Sequence, residues 1–224
     1  MSAEPKHREV FYGRVKGRPL RAQARDAFEQ NPFMLATAAD AESFLKTFPQ
    51  THLEIGFGAG EHLVARAIEH PEIGFIGAEA FENGIARCAL AAKEADLKNL
   101  AIWPYDVRPL LDALPEKSLE AIYLLYPDPW PKRRHWKRRM VDDHNLGRFA
   151  RLLQPNGQFY FASDWSNYTS WALSHLLRSP DFAWDAAEAS AWKTPFSSWT
   201  STRYEKKALR EGRVPSYLSF TRQP

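Results

Sequence analysis

Between residues 52 and 177, short apolar runs and amphipathic stretches alternate five times. This alternation constrains the fold more than any other feature of the chain. The apolar runs are residues 52–57, 73–78, 100–105, 119–126 and 158–162. Each is followed by a stretch of helical spacing, at 61–69, 83–95, 107–114, 141–153 and 165–177. The runs are apolar throughout, as in strands buried on both faces of a parallel sheet. Two further helices are expected at 21–29 and 38–48, and Tyr217, Leu218 and Phe220 read as a last strand. The expected architecture is α/β, a mostly parallel doubly wound sheet. Such sheets bind ligands beyond the carboxyl ends of their strands. The positions to inspect are therefore Gly56 to Gly60, Glu79, Asp106, Pro127 to Trp130, and Asp164.

Charge is informative only when it is placed along the chain. The formal total is +3, but residues 1–25 carry +5 and residues 132–139 carry +6, which leaves −8 for the remainder. An acidic body with two basic segments points to a polyanionic partner. The basic start is broken by Gly13, Gly17 and Pro19 and reads as a mobile arm. The division expected is an N-terminal extension at 1–35 and one domain at 36–224. A lone cysteine, Cys88, cannot form an internal disulfide, which favours a reducing, cytoplasmic compartment. Its ordinary account is a small buried residue on a helix face. There is no Cys/His cluster of zinc spacing, so no metal is expected. No run approaches a membrane span.

The first strand ends in Leu53-Glu54-Ile55-Gly56-Phe57-Gly58-Ala59-Gly60. Three glycines there allow a tight turn and let a ligand approach the backbone at a helix N-terminus. The dinucleotide fingerprint requires a glycine where this chain has Glu61, an acid in the place of a pyrophosphate, so NAD and FAD are disfavoured. Glu79 ends the second strand, where a carboxylate accepts both hydroxyls of a ribose. Asp106 ends the third, suited to an adenine amine or to capping the following helix. Glycines with acids on the next two strands resemble the S-adenosylmethionine (SAM) pocket of Rossmann-like methyltransferases. That cofactor has a ribose and an adenine but no phosphate.

After the fourth strand comes Tyr126-Pro127-Asp128-Pro129-Trp130-Pro131-Lys132, then Arg133-Arg134-His135-Trp136-Lys137-Arg138-Arg139. Prolines on both sides of Asp128 stiffen its backbone. Cations interleaved with an aromatic suit phosphate contact and base stacking.

Together with Ser163-Asp164-Trp165 and Thr202-Arg203-Tyr204-Glu205, these stretches resemble the bacterial tRNA (guanine-N7)-methyltransferases, in order from about residue 50 to residue 221. The resemblance implies a Rossmann-like methyltransferase domain with an antiparallel C-terminal strand. It implies that Glu54, Glu79, Asp106 and Asp128 contact SAM, beside the turn of Gly56, Gly58 and Gly60, with Asp128 also at the catalytic centre. Lys132, Asp164, Thr202, Arg203, Tyr204 and Glu205 would contact tRNA, and Arg134, Lys137, Arg138 and Arg139 would interact with RNA. The implied target is a variable-loop guanine, position 46 in tRNA convention. Two departures are visible: Ala78 and Ala80 flank Glu79 where bulkier residues are common, and Trp136 interrupts the basic run. Two alternatives stand beside this reading: another SAM-dependent RNA or base methyltransferase, and a non-catalytic RNA-binding protein on the same fold. From spacing alone, Thr202 and Glu205 form a helix capping box. Monomer and homodimer are both compatible with the sequence.

Overall fold

The computed structural model describes residues 10–188, 190–197 and 199–224. Among these, seven strands form one sheet: β1 (Thr51–Ile55), β2 (Gly74–Ala78), β3 (Leu100–Trp103), β4 (Leu119–Leu125), β5 (Leu153–Ser163), β6 (Phe182–Trp184) and β7 (Ser216–Arg222). Their order is β3-β2-β1-β4-β5-β7-β6. The first five pair in parallel, while β7 runs antiparallel to β5 and to β6. The antiparallel last strand is as expected; β6, only three residues long, has no counterpart in the sequence pattern. Chain order reverses at the β1–β4 boundary, which opens a crevice there at the carboxyl ends.

The helices are α1 (Ala22–Glu29), α2 (Ala38–Thr47), α3 (Glu61–Glu69), α4 (Glu82–Glu94), α5 (Val107–Ala113), α6 (Asp143–Leu152), α7 (Ser166–Arg178) and α8 (Arg203–Arg210). One face of the sheet is aliphatic and phenylalanine-rich. Leu53, Ile55, Ile122, Leu124, Phe159, Phe161, Leu218 and Phe220 pack there against residues of α5, α6 and α7. On the other face, α3 and α4 cover β2 and β3 through Leu63, Ile85 and Cys88. Beyond them, Tyr123, Tyr160 and Tyr217 meet Phe196 and Trp199. The strands are therefore buried on both sides, yet they alternate in kind: aliphatic residues on one face, aromatic and polar residues on the other.

Two expectations change. The fifth strand is longer than the apolar run 158–162 and takes in Pro155, Asn156 and Gly157. That strand starts at Leu153, directly after α6, and the trio forms an irregularity in its pairing with β4, with Asn156 at φ 66°. Residues 22–35, which the expected division assigns to the extension, pack against residues of the domain. Helix α1 lies on α4, Leu35 is buried, and the backbone of Phe33 and Leu35 bonds that of Ile102.

His52 shows what the polar face costs. Its ring packs on Phe75 and Tyr123, and Nε2 lies 3.3 Å from Glu120 Oε2. Burial, with the nearby charge of Arg66 adding, pushes its pKa down from 6.5 to about 3. The folded state thus holds the neutral ring. Stability from this group is complete above the unfolded pKa and is lost as pH falls from 6.5 towards 3, at about 1.4 kcal/mol per pH unit for one proton. His52→Gln is expected to flatten the acid limb of melting temperature against pH between about pH 6.5 and 4.

Candidate active site

The turn between β1 and α3 is built from backbone alone. Gly56, Gly58 and Gly60 all have positive φ, at 72°, 61° and 81°. A side chain at Gly60 would be strained by that conformation and would meet Cys88, whose Sγ lies 2.6 Å from the position of an added Cβ. Cys88 is fully buried on α4, as expected, and is the surface against which the turn closes. A Cβ at Gly56 would meet nothing within 4 Å, so this side of the turn borders open space.

Glu79 follows β2 and faces back to the turn. Its Oε2 accepts from the Gly58 N–H at 2.9 Å, and its Oε1 accepts from the N–H groups of Ala80 (2.8 Å) and Phe81 (2.9 Å). Burial raises its pKa against the pull of these three donors, and the charge of Asp128 adds a smaller push. Asp106 caps α5 and binds the Arg108 guanidinium through both oxygens, at 2.6–3.0 Å. The capping role open to that position is therefore filled, and the carboxylate has a structural partner of its own. Glu54 lies under α3, 4% exposed, with Oε2 2.7 Å from His62 Nδ1. His62 is a residue that spacing did not single out.

The loop after β4 is bracketed by two strained residues. Tyr126 and Trp130 have φ of 50° and 44°, a region costly for bulky side chains. Such strain is of order 1–3 kcal/mol per residue and persists only where the surroundings hold it. The Tyr126 N–H is tied to Ala162 O at 2.7 Å, and Pro129 O accepts from Arg139 Nε at 3.1 Å. Between these clamps Asp128 is exposed at the surface, and the partial desolvation by its surroundings raises its pKa.

The basic strip divides. Residues 133–138 form a short 3-10 helix. Lys132, Arg133, Arg134 and Lys137 are exposed. Arg139 is not: it is 2% exposed, donates Nη2 to Asn167 Oδ1 at 2.7 Å, and lies over the rings of Trp136, Tyr168 and Trp171. These contacts make it a latch between this loop and α7. Arg138 sits between two rings, 4.2 Å above Tyr12 and 4.8 Å above Trp130, and so holds the N-terminal segment to the loop. From there that segment crosses to α4, where Val15 O accepts from Glu82 N and Arg18 O from Asn83 Nδ2.

The remaining residues are also sorted by burial. Asp164 accepts from Arg213 Nε at 2.5 Å. Thr202, 7% exposed, caps α8 by accepting from Glu205 N at 3.2 Å. The capping box is only half formed, because the Glu205 carboxylate turns inward. At 3% exposure it accepts from Trp199 Nε1 and from the Tyr217 hydroxyl. Arg203 pairs with Glu61 at 2.5 Å, and Tyr204 places its ring 3.0 Å from where a Gly58 Cβ would sit. Asp128, the exposed cations and α8 thus gather around one cleft, with Glu54 and Arg139 supporting it from within. Among the described residues no group of His, Cys, Asp or Glu is arranged to hold a metal, and no helix is long and apolar enough to cross a membrane.

The sheet order and the glycine turn define a methyltransferase fold. A 16S rRNA methyltransferase superposes with a TM-score of 0.57 at 16% identity, over 84% of this chain and 94% of that one. A SAM-dependent O-methyltransferase from Thermotoga maritima superposes at 0.53 and 13% identity, over 91% of this chain and 72% of that one. Residues 49–216 match the family described as a putative methyltransferase. The tRNA (guanine-N(7)-)-methyltransferase of Mesorhizobium japonicum is 50% identical, over 96% of this chain and 95% of its own. That of Agrobacterium fabrum is 48% identical, over 96% of each. The chain belongs to the tRNA (guanine-N7-)-methyltransferase family.

Proposed function

We propose that the protein transfers the methyl group of SAM to N7 of a variable-loop guanine of tRNA, position 46. The observation that carries this is the place of Asp128. It is held by two strained residues at the mouth of the β1–β4 crevice, with Glu79 and the glycine turn on one side. On the other side are the exposed cations Lys132, Arg133, Arg134 and Lys137. The groups lining the crevice suit SAM. Open space borders Gly56, Glu79 Oε2 has one backbone donor and a lone pair left for a hydroxyl, and Asp106 would share its oxygens between Arg108 and an amine donor. Glu61 puts an acid, not a phosphate-binding cation, at the start of α3.

SAM supplies a methyl group on a sulfonium centre. Guanine N7 keeps its lone pair at neutral pH, so no side chain need deprotonate it. The chain's task is to align the reactants and exclude water. Asp128 faces the charge that develops on the imidazole ring of the methylated base and stabilises it from a fixed position. Trp130 forms the wall beside it. Lys132 and Asp164 flank the entrance, and Arg134 and Lys137 take phosphates. A tRNA substrate fits the cytoplasm.

Labelled SAM with unmodified tRNA tests the reading. Label should enter tRNA, and borohydride followed by aniline should cut the strand at one variable-loop guanine. Transfer without that cut would favour a different base methyltransferase. Retention of tRNA without transfer, and without SAM binding in equilibrium dialysis, would favour a non-catalytic RNA-binding protein.

A further inference from the structure

We infer that Glu205 and Trp199 are positioning residues for the methyl-donor pocket: they seat α8 so that Tyr204 closes over the glycine turn. This rests on the functional reading above and reassigns part of the Thr202–Glu205 stretch from the RNA to the cofactor side.

Three successive residues of α8 make three different contacts. Arg203 reaches forward to Glu61 at the N-terminus of α3. Tyr204 lies on Gly58, with its ring 3.0 Å and its hydroxyl 3.4 Å from the position of an added Cβ. Only glycine at 58 leaves room for it. The charges of Glu79 and Asp128 both act on the Tyr204 hydroxyl and, with burial first, raise its pKa. Tyr204 therefore lies within electrostatic reach of both acids. It is 47% exposed, so it is a wall with an open side.

Glu205 sets that wall. Its carboxylate takes the Trp199 indole N–H at 2.9 and 3.0 Å and the Tyr217 hydroxyl. A buried carboxylate needs such donors, and each donor left unpaired would be costly in turn. Trp199 continues the chain of contacts. Its ring packs 5.4 Å from Tyr217 and 5.4 Å from His62, and His62 bonds Glu54 at 2.7 Å. Tyr126, the strained residue two before Asp128, also lies in the field of Glu205. One buried assembly thus joins Glu54 on β1, the loop carrying Asp128, the glycine turn and α8. Glu205, 3% exposed within this assembly, has no surface for a phosphate or a base.

The test separates cofactor from tRNA binding in the full-length protein. Glu205→Gln keeps the volume and one acceptor but loses the charge. It is expected to weaken SAM binding in equilibrium dialysis by about 10-fold or more, the scale of losing a hydrogen bond to a charged group. Affinity for tRNA without SAM should stay within about twofold, as for a site with no shared partner. Tyr204→Ala, which leaves the buried assembly intact, should weaken SAM to a similar degree, and Tyr204→Phe, which keeps the ring, should restore it. If Glu205→Gln fails to fold, the Tyr204 pair decides. Variants that lose tRNA affinity with SAM affinity intact would return this stretch to the RNA side and overturn the inference. So would SAM affinity unchanged in both Tyr204 variants, which would leave Glu205 a merely structural residue. Wild-type protein that retains no SAM would overturn the functional reading and this inference with it.

Discussion

Asp128→Ala is expected to lower single-turnover methyl transfer by about 100-fold or more while leaving tRNA binding within about twofold, the loss typical of one preorganised electrostatic partner. The chemistry of N7 does not call for a proton acceptor, so Asp128 need not act as one. What the residue supplies is a negative charge held in place by Pro127, Pro129 and the left-handed turns at Tyr126 and Trp130. The side chain is exposed, so solvent screens much of the cost of that charge. Partial desolvation raises the Asp128 pKa, and the charge of Asp128 in turn raises that of Glu79. Two consequences follow with definite sign. Methyl transfer should fall on the acid side with its limb shifted upward from that of an ordinary aspartate, and that limb should move in Asp128→Asn. A folded-state pKa above the unfolded value also means that the ionised form opposes folding as pH rises past the unfolded pKa. Asp128→Asn is therefore expected to melt at the same or a higher temperature than the wild type at neutral pH, even as its turnover falls. A stable site paired with lost activity is the usual trade where function requires an unfavourable charge. Unchanged single-turnover rates in Asp128→Ala would remove the residue from the chemistry altogether.

Neighbouring cations of one strip should give opposite results. Arg139→Ala is expected to cost about 2–4 kcal/mol, because it empties a buried volume and strips Pro129 O of its donor. For a chain of this length that corresponds to a fall in melting temperature of about 5–10 °C. Arg134→Ala combined with Lys137→Ala should leave the melting temperature unchanged, since both side chains are exposed. It should weaken tRNA binding and reduce the salt slope by about 0.7–0.9 for each phosphate no longer neutralised. Thermal melts and filter binding over a series of salt concentrations measure the two effects separately. Equal stability in Arg139→Ala would show that its bonds to Asn167 and its packing on the three rings do not hold the loop.

The strip also shows where reading the sequence stops. Six cations in eight residues are visible as charge, but charge alone does not say which of them face water. The short 3-10 helix turns Arg139 inward beneath Trp136, and Asn167 and Tyr168 arrive from α7, nearly 30 residues on, to meet it. Glu205 departs from its expected place for the same reason. Thr202 and Glu205 have the spacing of a capping box, and the local half of that pattern, Thr202 accepting from Glu205 N, is formed. The other half yields to a nonlocal competitor, since Trp199 and Tyr217 offer the carboxylate two donors inside the core.

The alternation of apolar runs was enough to establish a parallel sheet wound on both faces, because hydrophobic periodicity and the short reach of βα connections leave few other solutions. The glycine turn, the acids at the strand ends and the proline-flanked Asp128 were legible too, since each is a local backbone device whose cause lies within a few residues. Tertiary structure alone decided which polar residues became walls and which became anchors. Burial and hydrogen-bond pairing depend on groups brought together from distant parts of the chain: His62 under Glu54, Trp199 against Glu205, and Tyr204 over Gly58.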